Sequence, residues 1–474
     1  MPSPRFSVVI PTRERAHTLR STLQTCLEQD FEDYEIVVCD NHSSPATRAV
    51  VEEFESPRIL YVRAPEPLAM SVNWELAVAH ASGEYVTVLG DDDALLSHAL
   101  PALDGLIRRS GARAIRWSAA FYLWPTIALE GEGNYLALPL GRQLRTADAS
   151  ATIAAVIDFL EPYTSLPMIY NAIIHRDLIA DLRNRTGRVF ANNCPDVYTG
   201  FAFAYLAGTY LSTEVPMSVA GLSGNSTGVA TLLLRRPSAI AQEFRRLNAR
   251  AGLPLHPWVP DLPIFPGVPV ADSFQYAKEA LFRSDDRLRL DRKRLASYLV
   301  GHLWAANPSE WRTRLGMIRA SFADNPELQQ WFDEHLVRAP FRETPLMRLQ
   351  APAMGYLNGQ LHLRTDTFGV TDVAGAARLC ENLLGFRGTE IQYETAPAPG
   401  PHPEFPWLAA EIARSQARVT ALEADRAVTL TEIGSLRAQL AAERNTLVRR
   451  LRRAPGEFLR LLGFGKRSVA SPAR

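Results

Sequence analysis

The stretch that decides the fold runs from residue 84 to residue 95 and reads EYVTVLGDDDAL. Its first part, 85–89, is an unbroken series of strong strand formers, which is typical of a strand buried on both faces of a parallel sheet. Its second part places three carboxylates side by side: Asp91, Asp92 and Asp93. Adjacent carboxylates repel one another unless a cation or several hydrogen-bond donors neutralise them. The stretch therefore predicts a buried strand that ends in a neutralised acidic loop.

The three aspartates have two interpretations at this point. Carboxylate oxygens grouped on one loop suit Mg²⁺ or Mn²⁺ shared with the phosphates of a substrate. Acidic residues also cap helices, and a helix is predicted to begin near Leu96. The remaining N-terminal sequence favours the first interpretation.

The composition excludes several classes of protein. The chain has 474 residues, 47% of them hydrophobic, and a net charge of +0. This is ordinary for a globular protein of two or three domains and gives no global field to attract nucleic acid. Neither a signal peptide nor an apolar run of about 18 residues is found, so no transmembrane helix is expected. The cysteines lack CxxC spacing, which argues against a zinc site and a disulfide framework and favours a reducing cytoplasm. They are Cys26, Cys39, Cys194 and Cys380.

Strand and helix patterns alternate between residues 6 and 95. The alternation predicts parallel βαβ units, whose right-handed crossovers place the carboxyl ends of the strands at one edge. Ligands of open α/β sheets bind at that edge. Pro11 is expected to end the first strand. The apolar runs are 6–10, 34–39, 58–62 and 85–89, and the polar groups that follow strand ends are Pro11 with Thr12 and Arg13, Asp40 with Asn41, and Asp91 with Asp92 and Asp93.

Side chains at this edge are suited to binding a nucleotide. Asp40 is a fixed acceptor for a base N–H or, equally, the acceptor of a local Asx turn. Arg13 and Arg15 are suited to pair with diphosphate oxygens, or else form a solvated helix start, although basic residues there oppose the helix dipole. Neither GxGxxG after the first strand nor GxxxxGK[ST] is found in the sequence, which argues against a dinucleotide enzyme and a P-loop.

Six pieces of the sequence, taken in order, resemble glycosyltransferase family 2. They are SVVIPTRER at 7–15, LRSTL at 19–23, QDF at 29–31, EIVVCDN at 35–41, GEY at 83–85 and LGDDD at 89–93. The resemblance implies an inverting, nucleotide-sugar-dependent enzyme. It also implies an α/β fold of GT-A type, which is Rossmann-like with a mostly parallel sheet flanked by helices. We expect this catalytic domain at 1–235.

The resemblance also implies roles for individual residues. Asp91 and Asp93 would hold a divalent metal, Mn²⁺ or Mg²⁺, on the diphosphate of a UDP-, GDP- or dTDP-sugar. Asn41 replaces a second Asp of many members, His42 stands where Gly is usual, and Gly90 occupies the first position of the D-x-D-D form. The residues expected to contact the donor nucleotide are Pro11, Thr12, Arg13, Arg15, Asp40, Asn41, Asp91 and Asp92.

Asp196 is the predicted catalytic base. An inverting transfer needs one carboxylate to take the proton of the acceptor hydroxyl as its oxygen attacks the anomeric carbon. Asp196 follows Pro195 at a predicted helix start, where an acidic residue also simply complements the helix dipole. The family has such a carboxylate about a hundred residues beyond its DxD element, and Asp196 resembles it in spacing and setting.

Two features of the middle of the chain have alternative interpretations. Phe121, Tyr122 and Trp124 either stack on sugars or belong to the core. The Gly- and Ser-rich segment 221–228 either closes over a diphosphate with its backbone N–H groups or is a plain surface loop.

The C-terminal half predicts further regions. A mainly helical accessory domain is expected at 236–393 and a Pro-rich linker at 394–406. Near-heptad spacing at 407–453 predicts a coiled coil that mediates oligomerisation, or a long helix that folds back on its own chain. Residues 454–474 predict a basic amphipathic tail, either a peripheral membrane anchor or a solvated tail. Within 236–393 we predict helices at 239–251, 273–281, 292–303, 310–322 and 373–384, with a strand pair at 361–364 and 368–370. Before this region, residues 212–219 predict one strand.

The sequence as a whole predicts a cytoplasmic, metal-dependent glycosyltransferase. It would transfer a sugar from a nucleoside-diphosphate sugar to a hydroxyl of a glycan or glycolipid, in surface polysaccharide biosynthesis at the inner membrane face. No nucleic-acid partner is expected. One alternative is a non-catalytic nucleotide-binding scaffold of a glycan assembly complex. Another is a metal-dependent nucleotidyltransferase that releases pyrophosphate from a nucleoside triphosphate.

Overall fold

The structure, a computed structural model, describes residues 3–127, 132–233, 238–343 and 354–385. All of these residues lie within one compact unit, Met1–Ala396. The predicted linker (394–406), coiled coil (407–453) and amphipathic tail (454–474) lie outside the described residues.

Strands of the described residues form two sheets, each with parallel and antiparallel pairs. In chain order they are β1 (Phe6–Thr12), β2 (Tyr34–Asp40), β3 (Ile59–Arg63), β4 (Tyr85–Val88), β5 (Ala94–Leu95), β6 (Ala114–Trp117), β7 (Ala120–Leu123), β8 (Tyr135–Pro139), β9 (Leu144–Asp148), β10 (Ala172–His175), β11 (Thr209–Thr213), β12 (Ser218–Leu222), β13 (Gly355–Leu357) and β14 (Gln360–Arg364). The larger sheet has the order β3-β2-β1-β4-β10-β6-β11-β9, and the smaller has the order β13-β14-β8-β7-β12-β5.

Helices flank both sheets. In chain order they are α1 (Ala16–Leu27), α2 (Pro45–Glu52), α3 (Met70–Ala79), α4 (Ala99–Ser110), α5 (Ala149–Ile157), α6 (Arg176–Thr186), α7 (Pro195–Ala207), α8 (Ala239–Arg250), α9 (Gly267–Leu281), α10 (Arg292–His302), α11 (Pro308–Ala320), α12 (Pro326–His335) and α13 (Val373–Leu384). Short 3₁₀ turns occupy Tyr163–Ser165 and Asp366–Phe368, and a π-helical turn occupies Val229–Leu233. None of the helices described is long and apolar enough to cross a membrane.

The larger sheet is mixed rather than mostly parallel. Strands β3, β2, β1 and β4 pair in parallel, as the alternating pattern predicts. β10 is antiparallel to both β4 and β6, whereas β11 is again parallel to β6, so the predicted mostly parallel sheet is a mixed one beyond β4. Because β10 is antiparallel, its first residue lies where β4 ends, and the Val88 N–H donates to the Ile169 carbonyl at 2.9 Å. The chain before β10 thus reaches the edge that carries the aspartates.

Pro11 continues β1 instead of ending it, which corrects the expectation. It pairs in register with Cys39 of β2. Alternate residues of a strand face the same neighbour, and the carbonyl of Val9 accepts from the N–H of Leu89 on the β4 side. Pro11 therefore faces beyond the end of β4, whose pairing with β1 stops at Val9. Its missing N–H costs no ladder hydrogen bond there.

Two strand predictions in the second half of the chain are wrong. Residues 212–219, expected as one strand, are divided between β11 and β12 in different sheets, with Pro216 in the connection. Residues 368–370 form no strand, because Gly369 has a φ of 68° and β14 pairs instead with β13 and β8. Helix α9 begins at Gly267, six residues before the predicted 273. The other predicted helices of this region lie within two residues of their expected starts.

Helices of the 238–343 segment share a hydrophobic core with α7. Phe201 of α7 and Phe274 of α9 meet with ring centroids 5.5 Å apart, and both are fully buried. Helix α9 therefore packs directly on the helix that carries Asp196. The domain boundary expected at residue 235 stays a prediction.

Candidate active site

The carboxyl ends of β1, β2 and β4 meet at one edge of the larger sheet. Thr12 and Asp40 are opposite each other in the β1–β2 register. The Thr12 hydroxyl donates to Asp91 Oδ2 at 2.7 Å across the β1–β4 boundary. The structure thus brings together the polar groups that the strand ends predict.

The three aspartates are all buried, with 2%, 4% and 2% of their surfaces exposed. Helix α4 begins only at Ala99, and the carboxylates are engaged elsewhere, so they do not act as its cap. Asp91 accepts from Thr12 and from Arg15 Nη1, each at 2.7 Å. Asp92 Oδ2 accepts from the hydroxyl of Ser223 at 2.6 Å. Its Oδ1 lies 3.7 Å from Arg15 Nη1.

Asp93 faces the protein interior. Its Oδ1 accepts from the N–H of Gly221 at 2.6 Å and its Oδ2 from the N–H of Gly90 at 2.9 Å. Tyr170 also hydrogen-bonds to it. Burial, and then the charge of Asp92, raise the pKa of Asp93 to about 7. Burial likewise raises the pKa of Asp92, and Arg15 partly lowers it again.

The high pKa of Asp93 predicts a pH-dependent stability. The pKa of Asp93 is about 7 in the folded state against an ordinary 3.8, so the folded state binds this proton more tightly than the unfolded state does. The resulting stabilisation is complete below about pH 3.8. That contribution is lost as the pH rises through 7, with a slope of at most about 1.4 kcal/mol per pH unit. Asp93→Asn is neutral at every pH, so we expect a flatter dependence than in the wild type. Urea unfolding between about pH 5 and 8 measures both slopes, and equal slopes would contradict the assignment.

Arg15 is the cation that neutralises this cluster. It immediately precedes α1, and 15% of its side chain is exposed. Burial lowers the pKa of Arg15, but the negative charges of Asp91 and Asp92 raise it by more, so the net shift is upward. Nη2 donates to the carbonyl of Asn225, which joins the cluster to the 221–228 segment. Arg15 therefore occupies the position where the sequence predicts a cation.

Arg13 points elsewhere. Its guanidinium donates to the Asn41 carbonyl at 2.8 Å and pairs with Glu243 of α8 at 3.0 Å. The structure therefore separates two arginines that look equivalent in the sequence. Arg13 ties the β1 loop to the helical segment, whereas Arg15 contacts the aspartates.

Asp40 is fully buried at the end of β2. Its Oδ1 accepts from the N–H of Ser43 at 2.8 Å, which is the local contact that the alternative interpretation expects. Its Oδ2 accepts from the Tyr61 hydroxyl at 2.6 Å and from Arg63 at 3.2 Å. Burial and this hydrogen bond raise the pKa of Tyr61 to about 12. Sequence reasoning missed Tyr61 and Arg63, although their i, i+2 spacing at the end of a strand is a signal.

The two residues after Asp40 shape the turn. The Asn41 side chain donates to the Leu68 carbonyl at 2.9 Å and accepts from the Leu68 N–H at 2.8 Å. His42 has a φ of 58°, in the left-handed region that favours glycine. This conformation explains physically why glycine suits that position.

Asp196 is the second residue of α7 and is partly exposed. Burial raises its pKa, while its own N–H and that of Val197 lower it in part. The pKa of Tyr170 is raised by burial, by the charges of Asp93 and Asp92, and by that of Asp196. Tyr170 hydrogen-bonds to Asp93 and therefore belongs to the acidic cluster. Sequence reasoning missed it, because only the antiparallel β10 brings its loop to this edge.

The 221–228 segment is fixed to the acidic cluster. A Cβ on Gly221 would lie 1.9 Å from the carbonyl oxygen of Asp92, so only glycine fits there. The indole N–H of Trp124 donates to the same carbonyl at 2.9 Å. Trp124 and Tyr122 are buried, as the core interpretation of the aromatic residues predicts, and Phe121 is partly buried.

Residues 7–116 match the sequence profile of glycosyl transferase family 2. These residues belong to that family. The match confirms the resemblance that the six sequence pieces indicate.

Two curated relatives match about a fifth of this chain. The GalNAc(5)-diNAcBac-PP-undecaprenol beta-1,3-glucosyltransferase of Campylobacter jejuni is 39% identical over 103 residues, which is 21% of this chain and 33% of that protein. The UDP-Glc:alpha-D-GlcNAc-diphosphoundecaprenol beta-1,3-glucosyltransferase WfgD of Escherichia coli is 29% identical over 94 residues, which is 20% of this chain and 37% of that protein. The chain thus spans about a third of the length of each of these relatives.

A solved structure is similar over a longer span. The structure of S. aureus TarS 1-349 in complex with UDP-GlcNAc aligns with 69% of this chain and with 83% of the TarS chain. The aligned residues are 15% identical, and the TM-score is 0.43.

Proposed function

We propose that the protein is an inverting glycosyltransferase that moves a sugar from a nucleoside-diphosphate sugar to a hydroxyl of a lipid-linked glycan. One observation carries the proposal: at the sheet edge of the family 2 region, Thr12 and Arg15 converge on the buried carboxylate of Asp91, each at 2.7 Å. A hydroxyl and a guanidinium held beside an acidic cluster suit the diphosphate of a nucleotide-sugar donor. The names of both curated relatives specify saccharides linked through diphosphate to undecaprenol, which supports a lipid-linked acceptor and a role in polysaccharide assembly.

Asp196 acts as the base in this proposal. Its carboxylate takes the proton of the acceptor hydroxyl while that oxygen bonds to the anomeric carbon and the nucleoside diphosphate leaves from the opposite face. A general base works best when its pKa lies near the working pH. The pKa of Asp196 is raised in that direction by burial. The single displacement inverts the anomeric configuration.

The acidic cluster and its neighbours bind the donor. Thr12 and Arg15 both hydrogen-bond to Asp91. A diphosphate beside Asp91 would therefore meet a hydroxyl and a guanidinium as donors. Asp40 with Asn41 stays the proposed base-binding pair, and Tyr61 and Arg63 extend it. Pro11 and Arg13 complete the predicted nucleotide loop.

A divalent metal fits Asp91 and Asp92 better than Asp93. Among the residues that the structure describes, no group of three or more His, Cys, Asp and Glu side chains is arranged as a metal site. Asp91 Oδ1 and Asp92 Oδ1 both face the guanidinium of Arg15, so these two carboxylates already balance the charge of one cation. Both oxygens of Asp93 accept backbone N–H groups instead. Mg²⁺ or Mn²⁺ held by Asp91 and Asp92 would offset the charge of the leaving diphosphate.

Nucleotide binding tests the donor site. We expect one family of nucleoside diphosphates, with Mn²⁺ or Mg²⁺, to raise the melting temperature of the full chain, because ligand at about 100 times its Kd stabilises by about 2.7 kcal/mol. The Asp91→Asn variant keeps an acceptor for Thr12 and should lose most of the shift. The control is Asp181→Asn, on the exposed side of α6. Shifts that are equal in all three proteins, or absent with every nucleotide, would contradict the site.

The cellular setting remains a prediction from the sequence. We propose a cytoplasmic protein at the inner membrane face, with residues 407–453 forming a homo-oligomer and 454–474 contacting the membrane. Fractionation with and without residues 449–474 tests the membrane contact.

A further inference from the structure

Asp272 of α9 is a buried carboxylate that the proposed mechanism does not use. It is 0% exposed and forms no ion pair among the described residues. Its Oδ1 accepts from the N–H of His256 at 2.6 Å, and its Oδ2 accepts from Asn192 Nδ2 at 2.9 Å. Burial raises its pKa to about 6. Burying a carboxylate beside neutral donors costs free energy, so its presence calls for a reason beyond packing.

Asn192 connects this carboxylate to the start of α7. It is fully buried, and its Nδ2 also donates to the Ser273 hydroxyl at 2.9 Å. Its Oδ1 accepts from the N–H of Cys194 at 3.2 Å. Its carbonyl accepts from the hydroxyl of Ser71 in α3. One residue thus joins α9, α3 and the turn that precedes Pro195.

The turn held by Asn192 leads directly to Asp196. Cys194 is two residues before Asp196, and only Pro195 separates them. Asn192 contacts Asp272 with its Nδ2 and Cys194 with its Oδ1, so this residue links the carboxylate to the start of α7. The contact of Phe201 with Phe274 fixes the next turns of α7 on α9. Helix α9 therefore holds α7 by its core and by its first turn.

We propose that Asp272 is a positioning residue for Asp196, acting through Asn192 and the N–H of Cys194. The geometry of the base is then set by a helix outside the 7–116 family match. This inference rests on the proposed function of Asp196. It gives the 238–343 helices a role in the reaction.

A reciprocal exchange of side chains tests the inference. In Asp272→Asn the new side chain carries one acceptor where Asp272 carries two. Its NH₂ group must face either the NH₂ group of Asn192 or the N–H of His256, so one hydrogen bond is lost. We expect a fall in kcat of about 10- to 100-fold, as for a displacement of about 1 Å, with the Kd for UDP unchanged. The double variant Asn192→Asp with Asp272→Asn reverses the hydrogen bond between these two side chains and keeps an oxygen acceptor for the N–H groups of His256 and Cys194. It should recover kcat to within a few-fold of the wild type.

Hydrogen–deuterium exchange reads the positioning without any reaction. In Asp272→Asn, amides 192–198 should exchange faster, and in the double variant they should return to the wild-type rate. Asn325→Ala is the control, because Asn325 caps α12 in the same helical segment. It should lower the melting temperature without changing kcat or exchange at 192–198. If Asp272→Asn does not fold, Ser273→Ala removes the other acceptor of Asn192 and should show the same two effects more weakly.

The outcomes separate the inference from the function on which it rests. Asp196→Asn is assayed beside the other variants, with a UDP-sugar and a polyprenyl-diphosphate-linked GlcNAc acceptor. If Asp196→Asn loses transfer while Asp272→Asn keeps wild-type kcat and exchange, the inference is overturned and the function stands. If the double variant stays as slow as the single one, the inference is also overturned. If Asp196→Asn retains full transfer, the role of Asp196 itself fails.

Discussion

Asp196→Asn is expected to lower the rate of sugar transfer by about 10²- to 10⁴-fold, the usual contribution of a general base. Asparagine keeps the size of the side chain and its place in the first turn of α7 but cannot take a proton. We therefore expect an unchanged fold and an unchanged Kd for the nucleotide, with the loss confined to kcat. Steady-state transfer and nucleotide titration on the same preparation measure the two quantities.

Asp177→Asn is the matched control for this prediction. Asp177 also lies in the first turn of a helix, α6, and 74% of its side chain is exposed. It controls for the general effect of an acidic residue on the helix dipole, the alternative interpretation of Asp196. Equal activity in the two variants would show that Asp196 serves only the dipole.

Arg15→Met is expected to lower the free energy of unfolding by about 3–5 kcal/mol near neutral pH, because removing one partner of a buried ion pair leaves uncompensated charge. Asp91 and Asp92 would remain buried without their cation. Arg15 lowers the pKa of the buried Asp92, so its loss raises the folded-state pKa of that carboxyl group further. The destabilisation should therefore shrink as the pH falls and Asp92 becomes protonated. Urea unfolding at several pH values measures it.

Arg20→Met on the same helix is the control. Arg20 pairs with Glu53, and about half of each side chain is exposed, 52% and 46%. Exposed pairs contribute about 0–1 kcal/mol. Adding Asp91→Asn to Arg15→Met should recover part of the lost stability, because one uncompensated charge is removed. If Arg15→Met costs no more than Arg20→Met, Arg15 does not neutralise the cluster.

The parallel part of the fold was predictable because its signals are local. Each of the strands β1 to β4 is built on a largely apolar run, and the helices between them repeat with helical period. The antiparallel pairing of β10 was not predictable, since it joins residues that are far apart in sequence and leaves no local trace. Pro11 was misjudged for a related reason: whether a missing N–H matters depends on the neighbouring strand, which ends before it.

The residues of the candidate site also fall into those that local signals predict and those that only the tertiary structure reveals. Strand ends meet at one edge by topology, so Thr12, Asp40 and Asp91 were found from sequence. Arg13 and Arg15 could not be distinguished, because the partners that separate them, Glu243 and Asp91, lie on distant segments. Tyr170 reaches Asp93, and Asp272 reaches Asn192, only through tertiary packing.

Direct transfer is the measurement that tests the central claim. The full chain is incubated with a panel of UDP-, GDP- and dTDP-sugars, a divalent metal and polyprenyl-diphosphate-linked GlcNAc. The mass of the lipid product is then measured by mass spectrometry. We predict that one donor adds one sugar residue and that Asp196→Asn does not. Binding of the nucleotide without transfer to this acceptor, or to any lipid-linked glycan extracted from the source cells, would contradict the enzyme and favour the nucleotide-binding scaffold.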